Sequence, residues 1–528
     1  MRKLIESASV ALGITAIYLL WLIGPLVSPR HATIYHWSGS ASQLFLPPIL
    51  DFCLLWVMLT LLLLFARRPG RLRVAVWSWA VFSTPWIALK TWVRVSEIKP
   101  PASLNDWLFS TALVATLLLV VFWRPTFAAK FETVVKIAST FLIFVSISGL
   151  AFLFELAWFG WQARSLNAQM PLHHSVASQS TSTGKPRIIW IVFDELSYEQ
   201  LYERRFQGLQ LPAFDQLASQ STVFTHVIPA GIRTAQILPS FMTGHPVDGS
   251  RSSADGRHLL LHNRNTKEWL EFDQHNSVFQ DALNKGYSTA VVGWYNPYCR
   301  ILPEVLDHCF WALGHTAATL QASMMGPLLY LAEGTSAYRL LPFFQVSKSV
   351  GLESESHIYD YQTLLKETDK VLDNRSANFV LLHLPVPHPD GIYNRATDKF
   401  AFSHSSYIDN LALADKCLAH IRSRMESGGE WDSSTVVVMG DHSWRTKLLW
   451  RSSPGWTEED EVASQGGRFD DRPAYIVKLP QQSVGARIDT PFAAVNTREL
   501  LDALLAQNIR STEDLSTWVS KDISAKGD

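Results

Sequence analysis

The sequence predicts an N-terminal helical membrane block of five spans followed by an α/β sandwich, and three observations carry that fold class. Long apolar segments crowd the stretch from Met1 to Trp161, and none recurs after Arg164. Beyond them, short runs rich in β-branched residues alternate with amphipathic helical patterns. Three of those runs lead into acidic residues or histidine. At roughly 100 to 200 residues per domain, 528 residues hold more than one folding unit. The expected boundaries are 1–164 for the membrane block, 165–186 for a polar linker and 187–528 for the α/β domain.

The five apolar segments lie near 9–29, 44–66, 72–92, 107–123 and 137–161. At about 1.5 Å per residue each has the length of a helix that crosses a bilayer. The first reads as a span rather than a cleaved leader, because its uncharged stretch exceeds an ordinary leader's apolar region and four more spans follow. Arg2 and Lys3, then Arg67, Arg68, Arg71 and Arg73, then Arg124, Lys130 and Lys136 occupy the N-terminus and alternate loops, whereas the other loops hold chiefly Arg30, Arg94 and Lys99. Cytoplasmic loops collect basic residues, so the N-terminus is expected inside and everything after about residue 162 outside. Asp51 and Glu155 fall toward the outer ends of spans two and five. An ionisable residue within a span is a candidate for function, but near the interface it reaches headgroup water, which is the reading adopted for both.

The linker, "SLNAQMPLHHSVASQSTSTGKP" at 165–186, is polar and rich in Ser and Thr, as a flexible tether is. Past it come "IIWIVF" (188–193), "TAVVGW" (289–294), "FVLLHL" (379–384), "TVVVM" (435–439) and "AYIVKL" (474–479). Continuous apolar runs of this length suit parallel strands buried on both faces. Between them, 277–286 ends in a glycine suited to close a helix, and 407–425 has helical apolar spacing before Gly428-Gly429. With 46 basic against 47 acidic residues, no footprint for nucleic acid stands out. Four cysteines are too few for a disulfide framework, although Cys299 and Cys309 are close enough in sequence either to bridge in an oxidising compartment or to stay free. Cys53 sits in a span and Cys417 reads as helix core.

In α/β sheets ligands gather beyond the C-terminal strand ends, and the residues found there are chemically useful. "IIWIVF" runs into Asp194-Glu195, "FVLLHL" into "PVPHPD" with His388 and Asp390, and "TVVVM" through Gly440 into Asp441-His442. Carboxylate oxygen mixed with imidazole nitrogen suits zinc or manganese better than calcium, which prefers oxygen alone; magnesium and calcium stay open as divalent alternatives. The stretch "GIRTAQILPSFMTG" (231–244) places Thr234 at a helix start. A hydroxyl there is either a cap for unpaired backbone N–H groups or, beside a metal that lowers its pKa, a nucleophile aimed at phosphorus. Free N–H groups of the first turn favour a phosphate anion.

These residues resemble the alkaline phosphatase superfamily in its sulfatase-like branch. Sulfatases of that family carry Cys-x-Pro-Ser-Arg with Thr-Gly nine and ten residues after the Cys; here Thr243 and Gly244 lie nine and ten after Thr234. Thr in place of Cys or Ser speaks against a formylglycine sulfatase. Together with the five spans it resembles the envelope transferases of the superfamily, the lipoteichoic acid synthases and lipid A phosphoethanolamine transferases.

That resemblance implies an α/β sandwich of the alkaline phosphatase/sulfatase type on the outer side of a bacterial cytoplasmic membrane. It implies a divalent metal on Asp194, Thr234, Asp441 and His442, with Glu195 either a further ligand or a group that orients Asp194. Thr234 becomes the nucleophile, His388 a phosphate-binding or proton-transferring residue, and Arg233 and Arg445 partners for phosphate oxygens. The implied reaction moves a phosphorylated headgroup, of phosphoethanolamine or phosphoglycerol type, from a membrane phospholipid to an envelope glycan or lipid acceptor. A phosphodiesterase or sulfatase-like hydrolase is the alternative within the same chemistry, and a non-catalytic lipid-binding relative is the alternative outside it. Ser443, where the family often has Gly, is a departure from the pattern.

Overall fold

The computed structural model describes residues 1–27, 41–96, 102–164, 185–253, 258–312, 348–389, 391–401, 405–447, 450–452 and 455–526. Arg30, Lys99, Asp390, most of the expected linker and most of the 312–360 loop lie outside the described residues. The described residues form two compact units, one from the N-terminal helices and one from the chain after residue 185.

The first unit contains α1 (Arg2–Val27), α2 (Ala41–Phe65), α3 (Arg71–Phe82), α4 (Thr84–Ser96), α5 (Ala102–Val121) and α6 (Ala128–Gln162). Among the described residues five segments are long and apolar enough to cross a bilayer. The third, expected as one continuous helix, is two helices joined at Ser83. Pro85, in the first turn of α4, lacks the N–H and has the fixed φ that suit a helix start, which accounts for the break. Helix α6 has 35 residues and is therefore about 52 Å long, well beyond the roughly 30 Å of a hydrocarbon core. α1 and α6 pack so closely that a Cβ on Gly13 would lie 2.1 Å from the Leu142 carbonyl oxygen, the close backbone approach that small residues permit between membrane helices. Asp51 departs from expectation: at 1 % exposure it is buried within the block instead of reaching headgroup water, whereas Glu155 is half-buried.

The second unit is built on an eight-stranded mixed sheet. Its strands are β1 (Ile188–Phe193), β2 (Thr222–Phe224), β3 (Thr289–Trp294), β4 (His308–Ala312), β5 (Phe379–Leu384), β6 (Thr435–Gly440), β7 (Tyr475–Lys478) and β8 (Ala486–Ile488), in the order β8-β2-β7-β6-β1-β5-β3-β4. β6, β1, β5, β3 and β4 are parallel neighbours. β7, expected in the parallel set, runs antiparallel to both β6 and β2. Its four residues are all buried, as in the parallel strands, so apolar character gave no sign of direction.

Helices cover both faces of the sheet. One face of β1 (Ile189, Ile191, Phe193) and of β6 (Val436, Val438) packs with Tyr407, Ile408 and Leu411 of α9 (Tyr407–Ser427). On the other face Trp190 meets Phe241 of α7 (Thr234–Thr243), ring centroids 6.5 Å apart. This is the expected sandwich. A third long helix, α8 (Lys348–Asp373), joins the first of these cores through Ile358, Tyr361 and Leu364.

Candidate active site

Strand register brings the first acidic groups together. Phe193 of β1 pairs with Gly440 of parallel β6, so Asp194 and Asp441 leave adjacent strands at the same level. Gly440 is required there, because a Cβ on it would come 2.5 Å from the Leu196 carbonyl oxygen of the turn after β1. The next residue, Glu195, has φ 71°, a left-handed conformation that costs a non-glycine residue about 1–3 kcal/mol and persists only where its surroundings fix it. They do so from four directions. Its N–H donates to Asp441 Oδ1 at 3.0 Å, its carbonyl accepts from the Tyr407 hydroxyl at 2.9 Å, and its carboxylate accepts from Arg445 Nε and Trp450 Nε1.

Thr234 does not cap the helix it begins. The N-cap position of α7 belongs to Arg233, and no side chain caps the helix. Thr234 Oγ1 instead lies 2.8 Å from Asp441 Oδ2, 3.2 Å from Asp194 Oδ2 and 3.5 Å from His442 Nε2. The Thr243-Gly244 pair that closes the motif has a local cause: Gly244, at φ 73°, ends the helix in the left-handed conformation. Apolar Ile237, Leu238, Phe241 and Met242 are fully buried and hold the helix against the sheet.

Electrostatics then call for a cation. Asp194, Glu195 and Asp441 are all at 0 % exposure, with one guanidinium, Arg445, among them. Burial and the neighbouring Asp441 and Glu195 charges push Asp194 well above the carboxylate range, and burial pushes Asp441 upward. Burial, reinforced by Arg445, lowers His442 to about 3, so its ring is neutral. His442 Nδ1 lies 3.0 Å from the Ser443 carbonyl, which only accepts, so Nδ1 carries the proton and Nε2 is bare. That bare nitrogen sits 3.3 Å from Asp441 Oδ2 and 3.6 Å from Asp194 Oδ1, and Asp194 Oδ1 has no hydrogen-bond donor among the described residues. Lone pairs converging in a buried site fit a divalent metal, and one ligand atom from each of Asp194, Asp441 and His442 lies within 4.8 Å of the others. A second such group joins Asp194, Glu195 and His388.

The remaining expected residues spread around this centre. Arg445 is held by Glu195, and its Nη1 also lies 3.4 Å from the carbonyl of Ile232, two residues before Thr234. Burial lowers the Arg445 pKa, but the charges of Glu195 and Asp194 outweigh it and raise the net value. Arg233 is exposed at the mouth of α7. His388 is partly exposed and edge-on to Trp294, centroids 4.8 Å apart; burial and the Arg445 charge hold it well below its ordinary value. Sequence reasoning missed the groups that hold this set: Tyr407 and Trp450 around Glu195, and His383, which faces Asp194 from β5. Only His383 left a signal, as the one imidazole in an otherwise apolar strand. Cys299 and Cys309 form a disulfide, and Cys417 is buried in α9.

Solved structures with a similar fold include the phosphonate monoester hydrolase of Agrobacterium radiobacter, at 13 % identity over 61 % of this chain and 74 % of that one, TM-score 0.36. A sulfatase from Pseudoalteromonas sp. matches at 13 % identity over 61 % and 68 %, TM-score 0.40. Murine ectonucleotide pyrophosphatase/phosphodiesterase 5, solved with AMP, matches at 8 % identity over 63 % and 99 %, TM-score 0.36. No curated protein matches the sequence. The sulfatase family model matches residues 186–471, more than half the chain, and the chain therefore belongs to the sulfatase family.

Proposed function

We propose that the protein is a membrane-anchored, metal-dependent transferase that moves a phosphorylated headgroup from a phospholipid to an envelope glycan or lipid through a covalent phospho-threonine at Thr234. The observation that carries this reading is the Thr234 hydroxyl, which is turned away from capping its helix and onto Asp441, Asp194 and His442. In this reading residues 1–164 anchor the chain, 165–186 tether it and 187–528 act on the outer side of the membrane. A lipid donor stays in the bilayer, so anchoring raises its effective concentration at the site.

Asp194, Asp441, His442 and Thr234 would hold the metal, with zinc or manganese suited to their donors. When bound, the metal supplies Lewis acidity that acidifies the threonine hydroxyl and neutralises charge on phosphoryl oxygens. In the first displacement Thr234 Oγ1 bonds phosphorus as the phosphorus–glycerol oxygen bond breaks, and diacylglycerol leaves with a proton. Thr234 Oγ1 lies 2.8 Å from Asp441 Oδ2, the nearest base for its proton. Arg445 and Arg233 offer guanidinium groups to the phosphoryl oxygens. In the second displacement the acceptor oxygen bonds phosphorus and Thr234 recovers its hydroxyl. His388, neutral at pH 7, is suited to take the acceptor's hydroxyl proton.

Membership of a hydrolytic family supports a second reading, in which water is the acceptor. Incubation with headgroup-labelled phospholipid and envelope membranes separates the two. Label moving into a glycan or lipid fraction supports transfer, label released as a small water-soluble phosphate ester supports hydrolysis, and label that stays with the donor contradicts both.

A further inference from the structure

The reaction above leaves one buried imidazole beside the metal ligands without a role. His383 is fully buried in β5, next to β1 in the sheet. Its Nε2 lies 3.7 Å from Asp194 Oδ2 and has no hydrogen-bond partner among the described residues. Its other nitrogen, Nδ1, lies 2.8 Å from the Tyr298 hydroxyl. An ionised carboxylate only accepts, so the tautomer that turns an N–H toward Asp194 is the one with its proton on Nε2. In that tautomer the Tyr298 hydroxyl donates to Nδ1.

The pair is held in place from several sides. Tyr298 begins the short helix Tyr298–Ile301, and the next residue, Cys299, is bonded to Cys309 of β4, which ties that helix to the sheet. The Tyr298 ring lies against the backbone of β3 so closely that a Cβ on Gly293 would meet it at 2.2 Å. Trp294 sets its ring at 67° to the imidazole, centroids 6.4 Å apart. The same Asp194 Oδ2 lies 3.2 Å from Thr234 Oγ1, so the placing of this carboxylate bears on the threonine hydroxyl as well.

We propose that Tyr298 and His383 form a positioning pair that sets the orientation of Asp194 and thereby the metal affinity of the site. Neither residue is placed on the substrate or in the metal's own coordination. The inference rests on the reading of Asp194 and Asp441 as metal ligands, and it extends that reading to a contact between residues 85 positions apart. Partners behind a metal ligand typically contribute 10- to 100-fold in metal affinity.

The test uses the full chain in detergent, stripped and then titrated with zinc or manganese alone against a competing chelator. The metal-induced rise in melting temperature is recorded for the same samples. Tyr298→Phe and His383→Leu are expected to weaken metal binding about 10- to 100-fold and to shrink the metal-induced rise. His383→Gln, whose amide returns an N–H donor near the place of Nε2, is expected to recover part of the loss. Asp441→Asn serves as the reference. Wild-type affinity in Tyr298→Phe and His383→Leu, with affinity lost in Asp441→Asn, overturns the positioning role alone. Wild-type affinity in Asp441→Asn as well overturns the metal reading beneath it. A fall in metal-free melting temperature with an unchanged metal-induced rise marks the pair as purely structural and also overturns the proposal.

Discussion

Replacing Arg445 with methionine tests whether the carboxylate cluster is balanced as described. The Arg445 side chain is 14 % exposed and its partner Glu195 is fully buried, so the substitution leaves a charged carboxylate inside the protein. Removing one partner of a buried ion pair typically costs about 3–5 kcal/mol. Trp450 Nε1 still donates to the second Glu195 oxygen, which favours the low end, about 3 kcal/mol. At roughly 2–4 °C per kcal/mol for a domain of this class, the metal-free protein should melt roughly 6–12 °C lower. Adding Glu195→Gln removes the stranded charge while keeping a side chain of the same length, so the double variant should regain several degrees. The assay is thermal unfolding of the full chain in detergent with chelator present, followed by tryptophan fluorescence. A melting temperature of Arg445→Met within about 2 °C of wild type, or a double variant no better than the single one, would refute the balance of charges.

Asp441→Asn and His442→Ala should each lower metal content and turnover together, checked by elemental analysis beside an activity assay; full occupancy and activity in either one would make that residue structural. Burial raises Asp360 to about 8, so its contribution to stability is present in full below the unfolded-state value near 4 and is lost as pH rises toward 8. Asp360→Asn, which keeps an acceptor for Trp294 Nε1, should therefore raise the melting temperature relative to wild type more at pH 8 than at pH 5, with an upper limit of roughly 5 kcal/mol. An equal difference at both pH values would contradict the assignment. A reporter fused after residue 170 should be active only outside the cytoplasm, and a cytoplasmic signal there would place the α/β domain on the wrong side for an outer-leaflet donor.

The parts of the site legible in the sequence are those where local pattern and chemistry coincide. Asp194 and Asp441 were visible because each ends an apolar run, and the parallel register of β1 and β6 then makes them neighbours. Thr234 was visible through its spacing to Thr243-Gly244, although only the structure shows its hydroxyl on carboxylates and Arg233 in the cap position. What sequence did not reveal depends on contacts between distant segments. The direction of β7 is set by its pairing with β6 and β2, and its apolar residues would serve either direction. β2 and β8 have three residues each, too few for a periodic signal. Asp51 was read from its position along a span, but its burial depends on which face of α2 meets the other helices. Glu195 is legible as half of an acidic doublet, whereas its hold on Arg445 and Trp450 reaches residues 250 and 255 positions away.

The central claim is that Thr234 forms a bond to phosphorus during turnover. Full-length protein incubated with donor phospholipid, with acceptor withheld, and then digested should show the mass of the headgroup phosphate on the peptide that contains Thr234. Thr234→Ala should lose both adduct and turnover, and because the threonine side chain caps nothing, its fold should persist. Thr234→Ser, which keeps a hydroxyl, should retain some of each. An unmodified Thr234 peptide together with normal turnover in Thr234→Ala would contradict the account.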